Sequence, residues 1–432
     1  MKSRNNNISY VGNMFIYILL YIILLLFIIF QEDKKQHIKQ PFEKKDHYSL
    51  FSSNLKIMFS DENQLLSSYS VFDDPIDIVY TWVNGSDPTW IDYYKNYTSK
   101  ENISIDSSAF SIRFIDGEEL RFSLRSIDMY ANDFIRYIFI IVANNVTQIP
   151  YWLNTSHPKI RIITHKMIFG DMVPPESYEK DDWIFNFNSY SIENCISNIP
   201  DLANKFIYFN DDFFIGTKVQ KTDFFNRFDM PKVYVNYRNY ANIDKEYEQY
   251  SAQASNDFAA KKYHSDVAFT VSTFKNKFGN ATNFEQMHVA YPTTKNFLQQ
   301  TKEIFNDSIT NTIKAPFRRT NDIVMQYITF QYGIYKNKIV PVINDGTEIF
   351  FSYGNIETNT QKFIDILNNK IKLFCINIDI PSQTEKSKAF LYLKFPNRSS
   401  FELANSEEPR ILRYEKNYWS SIIEEATNNS QI

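Results

Sequence analysis

The chain has 432 residues, of which 44% are hydrophobic, 17% aromatic and 22% charged, and only 9 are glycine. This composition excludes collagen-like and largely disordered proteins, and the length is enough for one catalytic domain with accessory segments. The formal net charge of −4 provides no electrostatic basis for binding nucleic acid, so we expect no nucleic-acid partner.

The N-terminal region contains an uncharged run, MFIYILLYIILLLFIIF, from Met14 to Phe30. At 1.5 Å per residue such a helix spans roughly the ~30 Å hydrocarbon core of a bilayer. We therefore predict a cytosolic tail at 1–12 and a transmembrane signal anchor at 13–30. A cleaved signal peptide is the alternative, but its apolar region is usually shorter and ends in small residues. Lysines after the run, such as Lys34 and Lys35, favour the opposite topology by charge alone.

The chain also carries acceptor sequences for N-glycosylation, at Asn96, Asn102, Asn145, Asn154, Asn280, Asn306, Asn397 and Asn428. Glycans of this kind belong to a lumenal domain, and long domains translocate largely regardless of flanking charge. We therefore expect a single-pass type II protein with a polar stem at 31–73. Its two cysteines, Cys195 and Cys375, either form one bridge in an oxidising lumen or stay buried and unpaired.

The predicted folded domain, 74–432, begins with short β-rich apolar runs that alternate with helical patterns. This alternation predicts an α/β fold with a mainly parallel sheet. The predicted segments are strands at Ile76–Val83, Tyr137–Val142, Ile160–Thr164 and Phe206–Phe209, and helices at Glu118–Tyr130 and Ser189–Ile199. Residues 219–262, rich in Tyr, Asn and Lys between Tyr234 and Lys262, are predicted to be an insertion or a lid.

Two polar loops follow predicted strands, and ligands of open α/β sheets bind beyond the carboxyl ends of such strands. One loop is NGSDP, from Asn84 to Pro88, and the other is NDD, from Asn210 to Asp212. Adjacent carboxylates such as Asp211 and Asp212 repel each other unless a cation or a donor neutralises them. The pair is therefore either a loop or helix-capping feature, or a site for a metal, a phosphate or an acceptor hydroxyl.

Several ordered blocks of the chain resemble the conserved regions of the Stealth family. They are DIVYTWVNGSDP from Asp77, RFIDGEELRFSLRSI from Arg113, FNSYSIE from Phe187, FIYFNDDFFIG from Phe206, HVAYP from His288, RRTND from Arg318, LFCINIDIPS from Leu373 and FPNRSSFE from Phe395. The resemblance runs from about residue 75 to 405. It implies a Rossmann-like core that binds a nucleotide sugar, and transfer of a hexose 1-phosphate from that donor to a sugar hydroxyl.

The resemblance also implies roles for individual residues. The catalytic set that it implies is Glu193, Asp212, His288 and Arg318. The residues that it places on the nucleotide-sugar side are Asn84, Asp87, Arg113, Arg121 and Arg125, and we add Asn210 and Asp211 from the NDD loop. It favours UDP-GlcNAc as donor, a glycan or glycoprotein as acceptor, and residence in the Golgi membrane.

The residue types suit this chemistry. Arg318 would donate to phosphoryl oxygens, Mg²⁺ would clamp the diphosphate of the donor, and Asp212 or His288 would accept the hydroxyl proton. Arg318 could instead pair with Asp322 on a helix face. Two other functions stay open: a metal-dependent glycosyltransferase that releases UDP, and a non-catalytic glycan-binding relative. The sequence leaves the oligomeric state undecided, with a homo-oligomer among the alternatives.

Overall fold

A computed structural model describes residues 74–100, 114, 116–172, 178–180, 183–254, 260–353, 356–377 and 381–429. The chain divides into Met1–Ser70 and Val71–Ile432, and all described residues belong to the second unit. The predicted cytosolic tail, signal anchor and stem therefore lie outside the described residues. Within the ranges given above, no helix combines the length and the apolar character that crossing a bilayer requires.

The strands of the described ranges are mostly short, with three to six residues. They are β1 (Ile76–Thr81), β2 (Ile135–Val142), β3 (Ile160–Thr164), β4 (Tyr178–Lys180), β5 (Trp183–Phe185), β6 (Lys205–Phe209), β7 (Phe213–Ile215), β8 (Lys232–Tyr237), β9 (Phe284–Gln286), β10 (Tyr291–Thr294), β11 (Val340–Ile343), β12 (Ile349–Tyr353) and β13 (Leu373–Asn377).

The α-helices of the same ranges alternate with these strands over much of the chain. They are α1 (Pro88–Lys100), α2 (Glu119–Tyr130), α3 (His165–Phe169), α4 (Ser189–Glu193), α5 (Lys221–Phe224), α6 (Ile243–Ala254), α7 (Ala260–Phe278), α8 (Lys295–Ile304), α9 (Asn306–Ile313), α10 (Met325–Tyr335), α11 (Thr360–Leu367), α12 (Pro381–Lys394) and α13 (Arg413–Asn429).

The central sheet has five strands in the order β10-β6-β1-β2-β3. Four of them are parallel, and β10 pairs antiparallel with β6 at the edge. This order confirms the prediction of an α/β fold with a mainly parallel sheet. The chain builds outward from β1 to β2 and β3, and then returns to place β6 on the other side of β1. The boundary between β1 and β6 is therefore the topological switch point, where open α/β sheets leave a crevice for ligands.

The two strands at the switch point are mostly apolar and are buried. All five residues of β6 are buried, as are the first five residues of β1. Continuous burial of this kind is typical of parallel strands that are covered on both faces. At the sheet edge, Pro292 of β10 lies opposite Ile207 of β6. Proline is tolerated there because an edge strand leaves some N–H positions without a sheet partner.

Asp77 fixes the opposite end of the same strands. Its carboxylate is buried and accepts two hydrogen bonds from Arg136, at 2.9 and 2.7 Å. It also accepts from the backbone N of Tyr137 at 3.1 Å and of Ala203 at 2.7 Å. A buried charge is stable only with such complete pairing. Asp77 therefore ties β1 to β2 and to the chain before β6, away from the ends of the strands that carry the polar loops.

Two three-stranded sheets and the antiparallel pair β4-β5 complete the strands of the described ranges. In one, β8 lies between the parallel β11 and the antiparallel β9; in the other, β13 lies between the parallel β12 and the antiparallel β7. Part of the predicted insertion or lid at 219–262 is therefore core. Val233 and Val235 of β8 are buried, and Ile243 at the start of α6 is fully buried. The prediction was wrong for this part because frequent Tyr and Asn residues are typical of an exposed segment, whereas β8 is the central strand of its sheet.

His165 makes the stability of the fold sensitive to acid. Its ring is 4% exposed and hydrogen bonds through Nδ1 to the carbonyl oxygen of Ile184, at 3.0 Å. Burial lowers the pKa of His165 to about 4, from 6.5. Below pH 6.5 the His165 side chain is therefore protonated more in the unfolded chain than in the native chain, so its contribution to stability falls as the pH decreases through 6.5 toward 4. Between neutral pH and pH 4 this residue should reduce the free energy of unfolding by about 3 kcal/mol, at 1.36 kcal/mol per pKa unit.

We predict that His165→Gln reduces this loss of stability in acid, because the amide can still donate to Ile184 but does not titrate. The measurement is the free energy of unfolding in urea, taken at intervals between pH 7 and pH 4. His157→Gln is the matched control, since His157 is only partly buried. If His165→Gln and wild type lost stability in parallel over this range, the assignment to His165 would be wrong.

Candidate active site

The loop after β1 is held by a side chain from the loop that follows β2. Gln148 accepts from the backbone N of Asn84 at 2.8 Å and donates to Oδ2 of Asp87 at 2.9 Å. The other carboxylate oxygen of Asp87 accepts from the backbone N of Thr89 at 2.9 Å, so Asp87 caps α1 while Pro88 occupies its first position. The side chain of Asn84 likewise accepts from the backbone N of Ser86 and donates to the carbonyl oxygen of Thr147. In this structure Asn84 and Asp87 therefore tie their loop to the loop after β2.

Gly85 in that loop has a steric reason to be glycine. A Cβ at this position would overlap the backbone oxygen and the Cβ of Phe114. The loop therefore packs directly against the chain that precedes α2, which brings the region around Asp116 and Glu119 toward the switch point.

The turn between β6 and β7 carries the two adjacent carboxylates. Oδ2 of Asp212 accepts a hydrogen bond from Sγ of Cys375, at 3.3 Å. Oδ1 of Asp212 is buried and has no hydrogen-bond partner among the described residues. Burial raises the pKa of Asp212, and hydrogen bonds from Cys375 and Asn377 oppose this rise. Asp212 therefore presents one carboxylate oxygen that nothing in the described protein neutralises.

Asp211 lies in a group of like charges. Burial raises its pKa, and the neighbouring charges of Asp212 and Asp116 raise it further. Burial, Asp116 and Asp211 in turn raise the pKa of Glu119 well above its usual value. Four carboxyl groups thus influence one another at this end of the sheet, which is an environment that favours either bound protons or a cation.

His288 lies beside this turn, in the loop between β9 and β10. Its Nδ1 is 3.0 Å from the hydroxyl of Tyr291, and its Nε2 is 3.5 Å from Nδ2 of Asn210. An amide nitrogen only donates, so this pairing requires Nε2 to accept and the ring proton to lie on Nδ1. The ring of Phe213 packs edge-on against the imidazole, with 4.9 Å between ring centres. Burial and the positive charge of Arg318 lower the pKa of His288 to about 4.

Glu193 and Arg318 form a second group on α4 and the loop before α10. Glu193 is 5% exposed and accepts from Nε2 of Gln326 at 2.8 Å. Burial raises its pKa, against the effects of Gln326, Arg318, Ser189 and Tyr208. The guanidinium of Arg318 donates to Oγ of Ser189 at 2.5 Å and lies 4.1 Å from the ring centre of Tyr190.

Tyr208, next to the NDD turn on β6, connects the two groups. Its hydroxyl is 2.9 Å from the hydroxyl of Thr81 at the end of β1, and it hydrogen bonds to Glu193. The structure therefore brings Asn210, Asp212 and His288 into one contact group and links Glu193 and Arg318 to it. The alternative partner for Arg318 is wrong: Asp322 pairs with Arg319, at 2.8 Å, in a segment that is not helical.

Arg121 and Arg125 have partners elsewhere. Both guanidinium groups are fully buried and bind Glu402, Arg121 at 2.6 Å and Arg125 at 2.8 Å. Arg125 also binds Glu408 at 2.8 Å, and Arg121 donates to the carbonyl oxygen of Glu407 at 2.7 Å. These contacts fasten the C-terminal segment to α2, so the predicted nucleotide-sugar role of the two arginines differs from the role seen here. Arg113 lies outside the described residues.

Cys375, Tyr291 and Tyr208 belong to the contact group but were not predicted as site residues. Both cysteines are buried free thiols, which matches the unpaired alternative. The sequence did indicate that Cys375 lies near the end of a buried strand, because it is part of an apolar run followed by the polar Asn377. The pattern does not indicate that this strand packs beside the NDD turn.

Comparison with known proteins places this geometry in a family. Stealth protein conserved region 1 matches residues 74–101, and conserved region 2 matches residues 113–233. The chain is a member of the Stealth family. The two matched regions contain β1, its polar loop, Glu193 and the NDD turn, which are the parts of the site that meet at the switch point.

Relatives of this Stealth protein extend the match beyond those regions. An exopolysaccharide phosphotransferase of Streptomyces coelicolor is 28% identical over 339 residues, which is 76% of this chain and 51% of the relative. A capsular polysaccharide phosphotransferase of Haemophilus influenzae is 27% identical over 70% of this chain and 78% of its own. An exopolysaccharide phosphotransferase of Lactiplantibacillus plantarum is 25% identical over 76% and 96%, respectively.

The chain thus covers between a third and about half of the length of three Streptomyces coelicolor relatives, but most of the length of the Haemophilus and Lactiplantibacillus relatives. Among solved structures, mouse xyloside xylosyltransferase 1 in its apo form aligns with a TM-score of 0.32 at 9% identity, over 71% of this chain and 99% of its own. A likeness of that size supports no further argument.

Proposed function

We propose that this protein transfers a hexose 1-phosphate from a nucleotide sugar to a hydroxyl of a glycan. The observation that carries the proposal is the position of the His288 imidazole beside Asn210 and Asp212 of the NDD turn, at the switch point of the central sheet. The names of the relatives, each a phosphotransferase of an exopolysaccharide or a capsular polysaccharide, support the same class of reaction. With UDP-GlcNAc as donor, the leaving group is UMP.

In this reaction the acceptor hydroxyl attacks the phosphorus that bears the sugar. A new oxygen–phosphorus bond forms, the bond to UMP breaks, and the hydroxyl proton passes to a base. We assign that base to His288, because a lowered pKa keeps its imidazole neutral at physiological pH and Nε2 faces the NDD turn. Tyr291, bonded to Nδ1, holds the ring in the required tautomer.

Glu193 and Arg318 would act next to this base. The planar guanidinium of Arg318 suits phosphoryl oxygens, and its position between Ser189 and the ring of Tyr190 fixes its plane. Glu193, held by Gln326 and Tyr208, is placed to orient Arg318 or to accept a hydroxyl of the acceptor sugar. Contacts within the described residues support both roles.

The carboxylates fit the Mg²⁺ that the family resemblance implies. Oδ1 of Asp212 is buried without a partner in the described part of the chain, and Asp211 is adjacent to it. Carboxylate oxygens are the ligands that this hard cation prefers. Asp211 and Asp212 would hold the ion, which supplies positive charge to the donor diphosphate when bound.

We further propose residence in the Golgi membrane as a single-pass type II protein with the catalytic domain in the lumen. The apolar run at 13–30 supports the anchor. Exposed asparagines in the acceptor sequences support glycosylation of the described domain, and they are Asn96, Asn145, Asn280, Asn306 and Asn397. Loss of apparent mass on treatment of the expressed protein with an endoglycosidase is the expected result.

The first experiment identifies the released nucleotide. Full-length protein extracted in detergent is incubated with UDP-GlcNAc, Mg²⁺ and a mannoside, and the products are separated by chromatography. UMP together with a phosphodiester-linked product is the expected result. UDP with a glycosidic product would instead identify a glycosyltransferase. If a panel of nucleotide sugars also gave neither product, the proposed enzymatic function would be wrong and a glycan-binding relative would be the better description.

A further inference from the structure

Three distant segments bring three different metal-binding atoms together at the switch point. They are a carboxylate oxygen of Asp212, a ring nitrogen of His288 and Sγ of Cys375, which all lie within 4.8 Å of one another. The Cys375 Sγ to Asp212 Oδ2 distance is 3.3 Å. No other such group of three His, Cys, Asp or Glu side chains is present among the described residues.

The spacing is close to that of a tetrahedral zinc centre. Bonds of about 2.0 Å to oxygen or nitrogen and about 2.3 Å to sulfur separate neighbouring ligand atoms by about 3.3 to 3.5 Å. The three atoms would therefore need to move by about 1 Å or less. Their supports are rigid: Cys375 lies within β13, Asp212 follows β6, and His288 is held by Tyr291 and Phe213.

The ligand types distinguish this group from a magnesium site. Thiolate and imidazole prefer Zn²⁺ and related ions, whereas Mg²⁺ prefers oxygen ligands. We propose that Asp212, His288 and Cys375 form a Zn²⁺ site, and that bound Zn²⁺ blocks the sugar-phosphate transfer. The binding claim stands on these three residues alone, while the inhibition claim rests on the proposed function.

Inhibition would follow from the atoms that the ion occupies. Zn²⁺ on Nε2 of His288 takes the lone pair that the proposed base needs, and Zn²⁺ on Asp212 takes a carboxylate oxygen from Mg²⁺. Cys375 binds as thiolate, so its thiol proton leaves to solvent as the ion enters. Asp212 and His288 are only partly buried, whereas Cys375 is fully buried behind them. The ion would therefore arrive from the side that faces the substrates.

Binding is tested with Co²⁺, a coloured substitute for Zn²⁺, on the metal-stripped full-length protein. The expected result is a thiolate-to-cobalt charge-transfer band with the visible absorption of tetrahedral Co²⁺, at one ion per chain. Both signals should disappear on addition of Zn²⁺. Cys375→Ser should lose the charge-transfer band and bind Zn²⁺ at least about tenfold more weakly. Cys195→Ser is the matched control, because Cys195 is a second buried free thiol outside this group.

A second variant guards against misfolding of Cys375→Ser: His288→Gln should weaken Zn²⁺ binding by a similar factor. Absence of the charge-transfer band from the wild type, or its survival in Cys375→Ser, would overturn the site. For inhibition, Zn²⁺ should reduce the wild-type transfer at least about tenfold, and chelation followed by Mg²⁺ should restore it. Zn²⁺ bound at Cys375 without any loss of rate would overturn the inhibition claim. The cobalt measurement decides the binding claim even if the proposed transfer itself is disproved.

Discussion

Replacing Asp212 by Asn should reduce the sugar-phosphate transfer by at least about 10³-fold without unfolding the protein. The carboxamide has nearly the same shape as the carboxylate and can still accept from Cys375. It removes the negative charge of Oδ1, which is buried without a partner among the described residues. Since that charge is costly to the fold, stability should stay equal or rise while activity falls, a trade-off that is common at active sites.

The measurement for this variant is the initial rate of UMP release, with thermal unfolding of the same samples. Asp133→Asn is the matched control, because the Asp133 side chain is 77% exposed and pairs only with Lys218 among the described ion pairs. This control should retain wild-type activity. A rate for Asp212→Asn within about tenfold of the wild type would remove Asp212 from the proposed site.

Glu402→Gln is expected to destabilise the domain by about 3 to 5 kcal/mol, which is the usual cost of breaking a buried ion pair on one side. Burial tends to raise the pKa of Glu402, but the hydrogen bonds from Arg125 and Ser399, together with Arg121, lower it overall. The carboxylate is therefore the form that the native state holds. Its amide replacement would turn N–H groups toward two guanidinium groups that cannot accept a hydrogen bond.

The free energy of unfolding in urea is the measurement for Glu402→Gln. Glu407→Gln is the matched control, because the segment binds Arg121 there through the backbone carbonyl oxygen and the Glu407 residue is exposed. We expect less than about 0.5 kcal/mol for that control. A cost below about 1 kcal/mol for Glu402→Gln would mean that Glu402 does not hold the C-terminal segment to α2.

The parallel strands of the central sheet could be predicted because each one is recognisable from a short, contiguous stretch of sequence. β3 was predicted with the bounds that the structure shows, and β1 and β6 differ only by a few residues. β1 and β6 are mostly apolar runs that end at polar turn residues, and burial on both faces requires that pattern. The polar loops after β1 and β6 could be placed near each other for the same reason, since parallel strands end at one edge.

Contacts between distant segments could not be predicted in this way. Arg121 and Arg125 were assigned to substrate, whereas 281 and 277 positions later the chain supplies Glu402 as their partner. Cys375 lies 163 residues from Asp212, and a spacing of that length does not predict the hydrogen bond between their side chains. In β8 the aromatic and amide residues follow a strand pattern only when β9 and β11 are known to flank it. The signal anchor, the stem and the Golgi location stay predictions.

The antiparallel pairing of β13 with β7 has a consequence for the order of events during synthesis. The NDD turn leaves the ribosome long before β13, because 163 residues separate Asp212 from Cys375. At about 5 to 20 residues per second, this interval lasts roughly 8 to 30 s. Throughout it, β7 has no β13 to pair with and Asp212 lacks its contact with Cys375. The growing polypeptide therefore cannot assemble the group of Asp212, His288 and Cys375 until the ribosome has passed residue 375 of 432.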